Sequence, residues 1–347
     1  MPMANAAASH KNFGKPVIAA VIGDPAGIGP EVCVKAAADA ALRDLCLPVL
    51  IGDVELLRQA ARFAGVSCPV LSVAQPDPER LLQGQISVLD PGGFDATALR
   101  MATVSAACGH AVFAGMRLGA ELGRQGRIQG LVWGPVHSDS MKATGLLSDI
   151  DDLQPEGTFM LRMSGNLRVV PLSEHVPLTR AIELVQPASV LALVRLVHAT
   201  LRRWGWATPR IAVAGVHPHA MFDDDQIRIG PAVSTARAEG IAVDGPIAPD
   251  SVFRQAIEGR YDVVVTMFHD QGQIVIKTVG FAGACTVYIG LPYVLLNVPH
   301  GTAFDIAGKG VAQHRSMLAA FETAARLATG RGLKAAAKPS LTLDDRR

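Results

Sequence analysis

The sequence predicts an α/β fold: a mainly parallel sheet in a three-layer α/β/α arrangement, helices covering both faces. Three observations carry this. Short apolar, β-branched runs recur along the chain, at residues 16–22, 47–53, 131–136, 167–173, 210–216 and 261–268. Amphipathic or Ala/Leu-rich segments with a helical period separate them, at 55–64, 98–123, 187–204, 232–240 and 315–329. Gly/Pro turns punctuate the two, so strand and helix alternate, as a parallel sheet with helical crossovers requires.

Taken in order, residues 1–14 read as a loose tail, and 16–22 as the first buried strand. GDPAGIGPEV (23–32) is a Gly/Pro turn leading into a helix that runs to Ala40. Short strands are expected near Val70 and Ile86. The segment HSDSMKATGLLSDIDDLQPEG is polar and acidic, a domain crossing or a substrate loop. Asp250 is placed to cap a helix ending at Glu258. Residues 284–301 read as two strands, 315–329 as the last core helix, and the chain after Gly330 as a frayed tail.

The 347 residues are enough for two domains. Hydrophobic residues make up 49% and charged ones 18%, so a large core is expected and general disorder is not. A net charge of +1 gives no global attraction to nucleic acid or to an anionic membrane. Cys33, Cys46, Cys68, Cys108 and Cys285 form no CxxC pair and read as reduced thiols. The N-terminus lacks a signal-peptide apolar block and no run is long enough to span a bilayer. A soluble cytoplasmic protein is expected.

Three histidines share one placement, each following the end of a predicted buried strand: His175, His219 and His269. Carboxyl ends of parallel strands share a sheet edge, where ligands collect. Three imidazoles suit zinc or another divalent Lewis acid. The bland alternative is three unrelated loop residues, and His217 competes with His219. Asp270 either orients His269 or caps the helix that starts there; Lys277 adds a positive charge. GDPAGIGPE presents backbone amides at a helix start or is a tight turn only. HGTAFDIAGKG is a second Gly-rich loop, with Asp305 placed to meet a ribose hydroxyl.

Together these motifs resemble the 4-hydroxythreonine-4-phosphate dehydrogenase (PdxA) family. The matching stretches are GDPAGIGPEV, GPVH, LRVVPLSEHVPL, the PHA of GVHPHA, DGPIAPDSVF, FHDQGQIVIK, GLP and HGTAFDIAGKG, in the family's order from about residue 17 to 312. The resemblance extends more remotely to isocitrate and isopropylmalate dehydrogenases. It implies a two-domain fold, with residues 1–130 and 302–347 in one domain and 131–301 in the other. It also implies NAD as oxidant, a small-molecule substrate, and a homodimer with its metal site at the subunit boundary. The family's metal ligands fall on His175, His219 and His269, its substrate lysine on Lys277, and its nucleotide loop on His300, Gly301, Thr302, Ala303 and Asp305. Asp270 and Asp250 are candidates for proton relay or for holding the ligands.

The departures fall on the phosphate side. The family's Gly-His-Thr-Glu motif is absent, and a gapless count lands near Asp151 and Asp152. Its Asn after the catalytic Lys becomes Thr286, and its phosphate Arg after GLP becomes Leu295. Loss of a charge-assisted bond to phosphate costs roughly 1.5–3 kcal/mol. With desolvation added, a total of about 3 kcal/mol is more than a hundredfold in affinity. The expected substrate is therefore a non-phosphorylated β-hydroxy acid, oxidised and decarboxylated. The branch that resembles this pattern is the terephthalate 1,2-cis-dihydrodiol dehydrogenases, which form protocatechuate and CO2. Leu295 would face the ring and Lys277 a carboxylate. The alternatives are 4-hydroxythreonine-4-phosphate dehydrogenase itself and a non-catalytic metal- or nucleotide-binding regulator.

Overall fold

A computed structural model describes residues 14–81, 84–279 and 285–333. Most of the expected N-terminal tail, the chain after residue 333 and the start of the 284–301 segment lie outside the described residues. The strands are β1 (Val17–Val21), β2 (Leu47–Ile51), β3 (Val70–Ser72), β4 (Ile86–Leu89), β5 (Gly130–Trp133), β6 (Phe159–Ser164), β7 (Leu167–Pro171), β8 (Ile211–Ala214), β9 (Val243–Ile247), β10 (Val263–Thr266), β11 (Cys285–Ile289) and β12 (Val294–Asn297). They form one sheet in the order β3-β4-β2-β1-β5-β12-β11-β6-β7-β10-β8-β9.

Both faces of this sheet are covered, and the burial of β1 shows why. All five of its residues are buried. Ile18 and Ala20 enter one core, while Val17, Ala19 and Val21 enter another on the opposite face. In β10, Val263 and Val265 part from Val264 in the same way. A pleated strand sends alternate side chains to opposite faces, so an unbroken apolar run needs cover on both. No single helix among the described residues is long and apolar enough to cross a membrane.

The middle of the sheet departs from expectation. Two parallel blocks, β3-β4-β2-β1-β5-β12 and β7-β10-β8-β9, are joined by antiparallel pairings of β12 with β11, β11 with β6, and β6 with β7. β6 is absent from the sequence-based expectation. It pairs with β7 across the two-residue turn Gly165–Asn166, with Gly165 at φ 57, the positive φ a tight hairpin needs.

Two helix boundaries also move. The helix expected over 98–123 is Ala106–Arg124, opened by Ser105, whose side chain accepts from the Cys108 amide at 3.1 Å. Upstream, Asp95 accepts from both the amide and the hydroxyl of Thr97, a local turn that competes with helix. The first helix ends at Ala37, and Asp39 caps a separate one, Ala40–Leu45.

Candidate active site

The antiparallel centre floors a cavity of about 450 Å³ on one sheet face. Register builds that floor. Trp133 lies beside Asn297, Asn297 beside Thr286, and Thr286 beside Arg162, and all four line the cavity. The next row on this face is Leu131, Leu295, Tyr288 and Met160. Tyr288 and Met160 reach the cavity. Leu295 does not: it is fully buried in the core with Leu131 and Met116, one pleat behind Asn297. The expected contact between Leu295 and substrate is thus corrected to a packing role. Burial pushes the Tyr288 phenol up to about 12, partly countered by Arg162, so it stays protonated as a donor.

One wall is the helix His269–Val279, whose His269, Gln273 and Lys277 recur every four residues and so share a face. His175 and Asp151 form another, and His300 with residues 134–136 a third. Asp151 sits in the short 3-10 turn Ile150–Leu153 of the acidic loop, which is therefore a cavity wall. Two lining groups, Trp133 Nε1 and Gln273 Oε1, are buried without a hydrogen-bond partner. Buried polar atoms are normally paired, so a donor and an acceptor left open here suit a polar ligand.

His175 and His269 follow neighbouring strands, β7 and β10, and their ring centroids are 4.9 Å apart. Each ring is held by a carboxylate: His175 Nδ1 by Asp151 at 2.9 Å, and His269 Nδ1 by Asp270 at 2.7 Å. With Nδ1 engaged, Nε2 is free for an ion, the arrangement typical of metal-ligating imidazoles. One ligand atom each from Glu174, His175 and His269 lie within 4.8 Å of one another. This donor set fits a divalent cation.

His219 is not in that group. It stands in left-handed backbone, φ 57, with a side chain 66% exposed. Its Nδ1 lies 3.1 Å from Asp250. Asp250 therefore holds this imidazole; the following helix, Val252–Ile257, has Ser251 at its cap position with no side-chain bond, so the expected capping role is corrected. Asp270, in the first turn of its helix, reaches back to His269. His217 pairs with Asp224 at 3.2 Å, at the outer turn.

The two Gly-rich loops meet each other. The Ile28 amide donates to the Thr302 carbonyl at 2.9 Å. A Cβ on Gly27 would fall 2.7 Å from Thr302 Cβ. GDPAGIGPE is thus a close-packed support for the loop 300–310. In that loop His300 lines the cavity, Ala303 takes a left-handed φ of 42, and Asp305 is exposed, with no bond to its carboxylate among the described residues. An open carboxylate of this kind suits a ribose hydroxyl. Phe304 stacks on His137 at 4.7 Å, tying the loop to the end of β5.

Arg162, Glu174, Tyr288, Trp133, Asn297 and Gln273 were not expected at the site. Only Arg162 leaves a trace in the sequence, as a charge inside the apolar run FMLRMS.

The fold and site define an α/β enzyme with a candidate divalent-metal centre. Residues 44–324 match the family described as "Pyridoxal phosphate biosynthetic protein PdxA". A Novosphingobium aromaticivorans protein, provisionally named 4-hydroxythreonine-4-phosphate dehydrogenase, is 41% identical over 93% of this chain and 98% of its own. The D-threonate 4-phosphate dehydrogenase of Cupriavidus necator is 37% identical over 91% and 98%. The structure of a terephthalate 1,2-cis-dihydrodiol dehydrogenase from Burkholderia xenovorans LB400 aligns at TM-score 0.72 and 28% identity, over 92% of this chain and 100% of that one. The chain belongs to the PdxA family of dehydrogenases.

Proposed function

We propose that this chain is an NAD-dependent dehydrogenase that oxidises and decarboxylates a non-phosphorylated β-hydroxy acid, with terephthalate 1,2-cis-dihydrodiol as the best candidate. The observation that carries this reading is the charge of the cavity. Arg162 faces it, but both of its terminal nitrogens are spent on Glu174, each at 2.8 Å. Lys277 lines the cavity with no ion pair among the described residues. One open lysine matches the dihydrodiol carboxylate remote from the reacting hydroxyl, the other carboxylate lying on the side of the proposed cation; a phosphate dianion in place of that remote carboxylate asks for more donors. The Trp133–Tyr288 pair, with ring centroids 5.4 Å apart, together with Met160 and Val298, gives an aromatic and apolar patch suited to a flat ring beside the polar Asn297, Thr286 and Arg162.

His175 and His269 are the residues that would hold a divalent cation, zinc by its affinity for imidazole, and that ion supplies Lewis-acid polarisation of the substrate hydroxyl. NAD, over the loop His300, Gly301, Thr302, Ala303 and Asp305, supplies the oxidant. Lys277 orients a substrate carboxylate, and Thr286, Asn297 and Tyr288 offer hydrogen bonds from the floor. Asp151, Asp270 and Asp250 hold the imidazoles and are the candidate proton carriers. Loss of CO2 breaks the bond between the ring and its carboxylate, and the electron pair restores aromaticity. The balance is one NADH and one CO2 per protocatechuate, with no net proton: the proton lost from the oxidised hydroxyl returns to the ring oxygen as the phenol forms. Residues 1–130 with 302–347 form the nucleotide side in this reading, and 131–301 the metal and substrate side.

His219 completes the ligand set from a second copy of the chain. Exposed Met221, Phe222 and Ile227 flank it, and exposed Val176, Leu178 and Ile274 flank the other two histidines. An apolar rim of this kind is buried by a partner. The reading is tested by product analysis: NADH, CO2 and protocatechuate should appear in equal amounts from the dihydrodiol. NADH without CO2 would refute decarboxylation.

A second reading, oxidation of a phosphorylated hydroxy acid, is favoured by the names of the 41% and 37% identical relatives.

A further inference from the structure

We propose that Glu174 is itself a ligand of the cation held by His175 and His269, and that Arg162 is its positioning residue. The inference rests on the metal-dependent reading above. Its first support is proximity: a carboxylate oxygen of Glu174 shares the 4.8 Å group with one nitrogen of each imidazole. Ligand bonds of about 2.1 Å hold neighbouring donor atoms roughly 3–4 Å apart, so only a small closing motion is needed.

Its second support is the way Glu174 is held. Arg162 Nη1 and Nη2 donate to Oε1 and Oε2, both at 2.8 Å, and the two side chains are only 8% and 13% exposed. β6 otherwise reads as an apolar strand, FMLRMS, and burying an arginine in it is costly. A fork-shaped pair fixes the carboxylate plane but takes only one lone pair from each oxygen. The remaining lone pairs are open to an ion. Ligands locked by a further partner are the rule at metal centres. Here all four candidate ligands show it: His175 with Asp151, His269 with Asp270, His219 with Asp250, and Glu174 with Arg162. The competing account is a buried ion pair that merely ties β6 to the turn after β7.

An anionic oxygen beside imidazoles also shifts the cation preference. A carboxylate added to the imidazoles makes the set accept manganese, iron(II) and cobalt as well as zinc.

The test uses the full-length, metal-stripped protein without NAD or substrate. Cobalt(II) binding is followed by equilibrium dialysis and by its visible absorption band. Glu174→Gln should weaken binding about tenfold or more and change the band. The double variant Arg162→Met with Glu174→Met removes both charges of the pair, keeps an apolar fill, and should show the same loss at an unchanged melting temperature; it carries the test if Glu174→Gln does not fold. Wild-type affinity and an unaltered band in these variants would overturn the ligand assignment. His269→Ala separates the two claims: if it too binds cobalt normally, the metal centre itself is wrong, whereas loss in His269→Ala alone refutes only the role of Glu174.

Discussion

His175 and His269 face each other with ring centroids 4.9 Å apart and their planes at 53°, each ring pinned at Nδ1 by a different aspartate. The Asp151 contact predicts a specific effect. Asp151→Asn removes the charge that orients His175 without emptying the site. Metal affinity should fall about 10–100-fold with an unchanged melting temperature, measured by equilibrium dialysis with zinc. Unaltered affinity would show that Asp151 does not position the ring.

His219 lies outside the group formed by the other two histidines, which predicts shared active sites. His219→Ala and His269→Ala should each be inactive alone. Mixed, denatured and refolded together, they should recover about a quarter of wild-type activity, because half the dimers are mixed and each then holds one intact site. Failure to recover any activity, with mixed dimers verified, would place all ligands in one chain.

Gly27 packs on Thr302, and its missing Cβ is what lets the two Gly-rich loops close. Gly27→Ala should therefore push the loop 300–310, which the proposed function assigns to NAD. We expect KM for NAD to rise several-fold with kcat changed less, and fluorescence titration of NADH to show the same loss. A normal KM would mean that the loop 300–310 does not bind the nucleotide.

Asp262 ties the start of β10 to that of β8. It accepts from the Arg210 amide at 2.8 Å and from Arg210 Nη2 at 2.9 Å. Burial pushes this carboxyl up, but the bonds from Arg210 outweigh it and hold its pKa below the usual range. A lowered pKa in the folded state means stability that is fully present above the unfolded value, about 3.9, and lost as pH falls through the lower folded value. Asp262→Asn should thus melt below wild type at pH 7, and the gap should shrink as the pH drops below 4. A gap that stays constant with pH would refute the charge-based account.

The fold class was legible because buried strands and their turns are local signals, as 47–53 and 210–216 show. β6 was not, since its arginine breaks an apolar run that follows directly on a Gly/Pro loop. That omission hid the antiparallel centre, and with it the floor of the cavity. Trp133, Asn297, Thr286 and Arg162 are far apart in sequence, and only strand register sets them in one row. The same lack of register misplaced Leu295, which was read from a motif position and lies one pleat too deep. His175 and His269 were legible from their strand ends alone. His219 stands outside their group, in a left-handed turn that no spacing rule announces.

The charge of the cavity is the claim on which the substrate assignment stands. Its most direct test is kcat/KM for NADH formation with terephthalate cis-dihydrodiol and with 4-phosphohydroxythreonine, each with and without a chelator. We predict turnover of the dihydrodiol at least about a hundredfold more efficient than of the phosphate ester, and abolished by chelation. Preference for the phosphorylated substrate, or activity indifferent to the chelator, would contradict it.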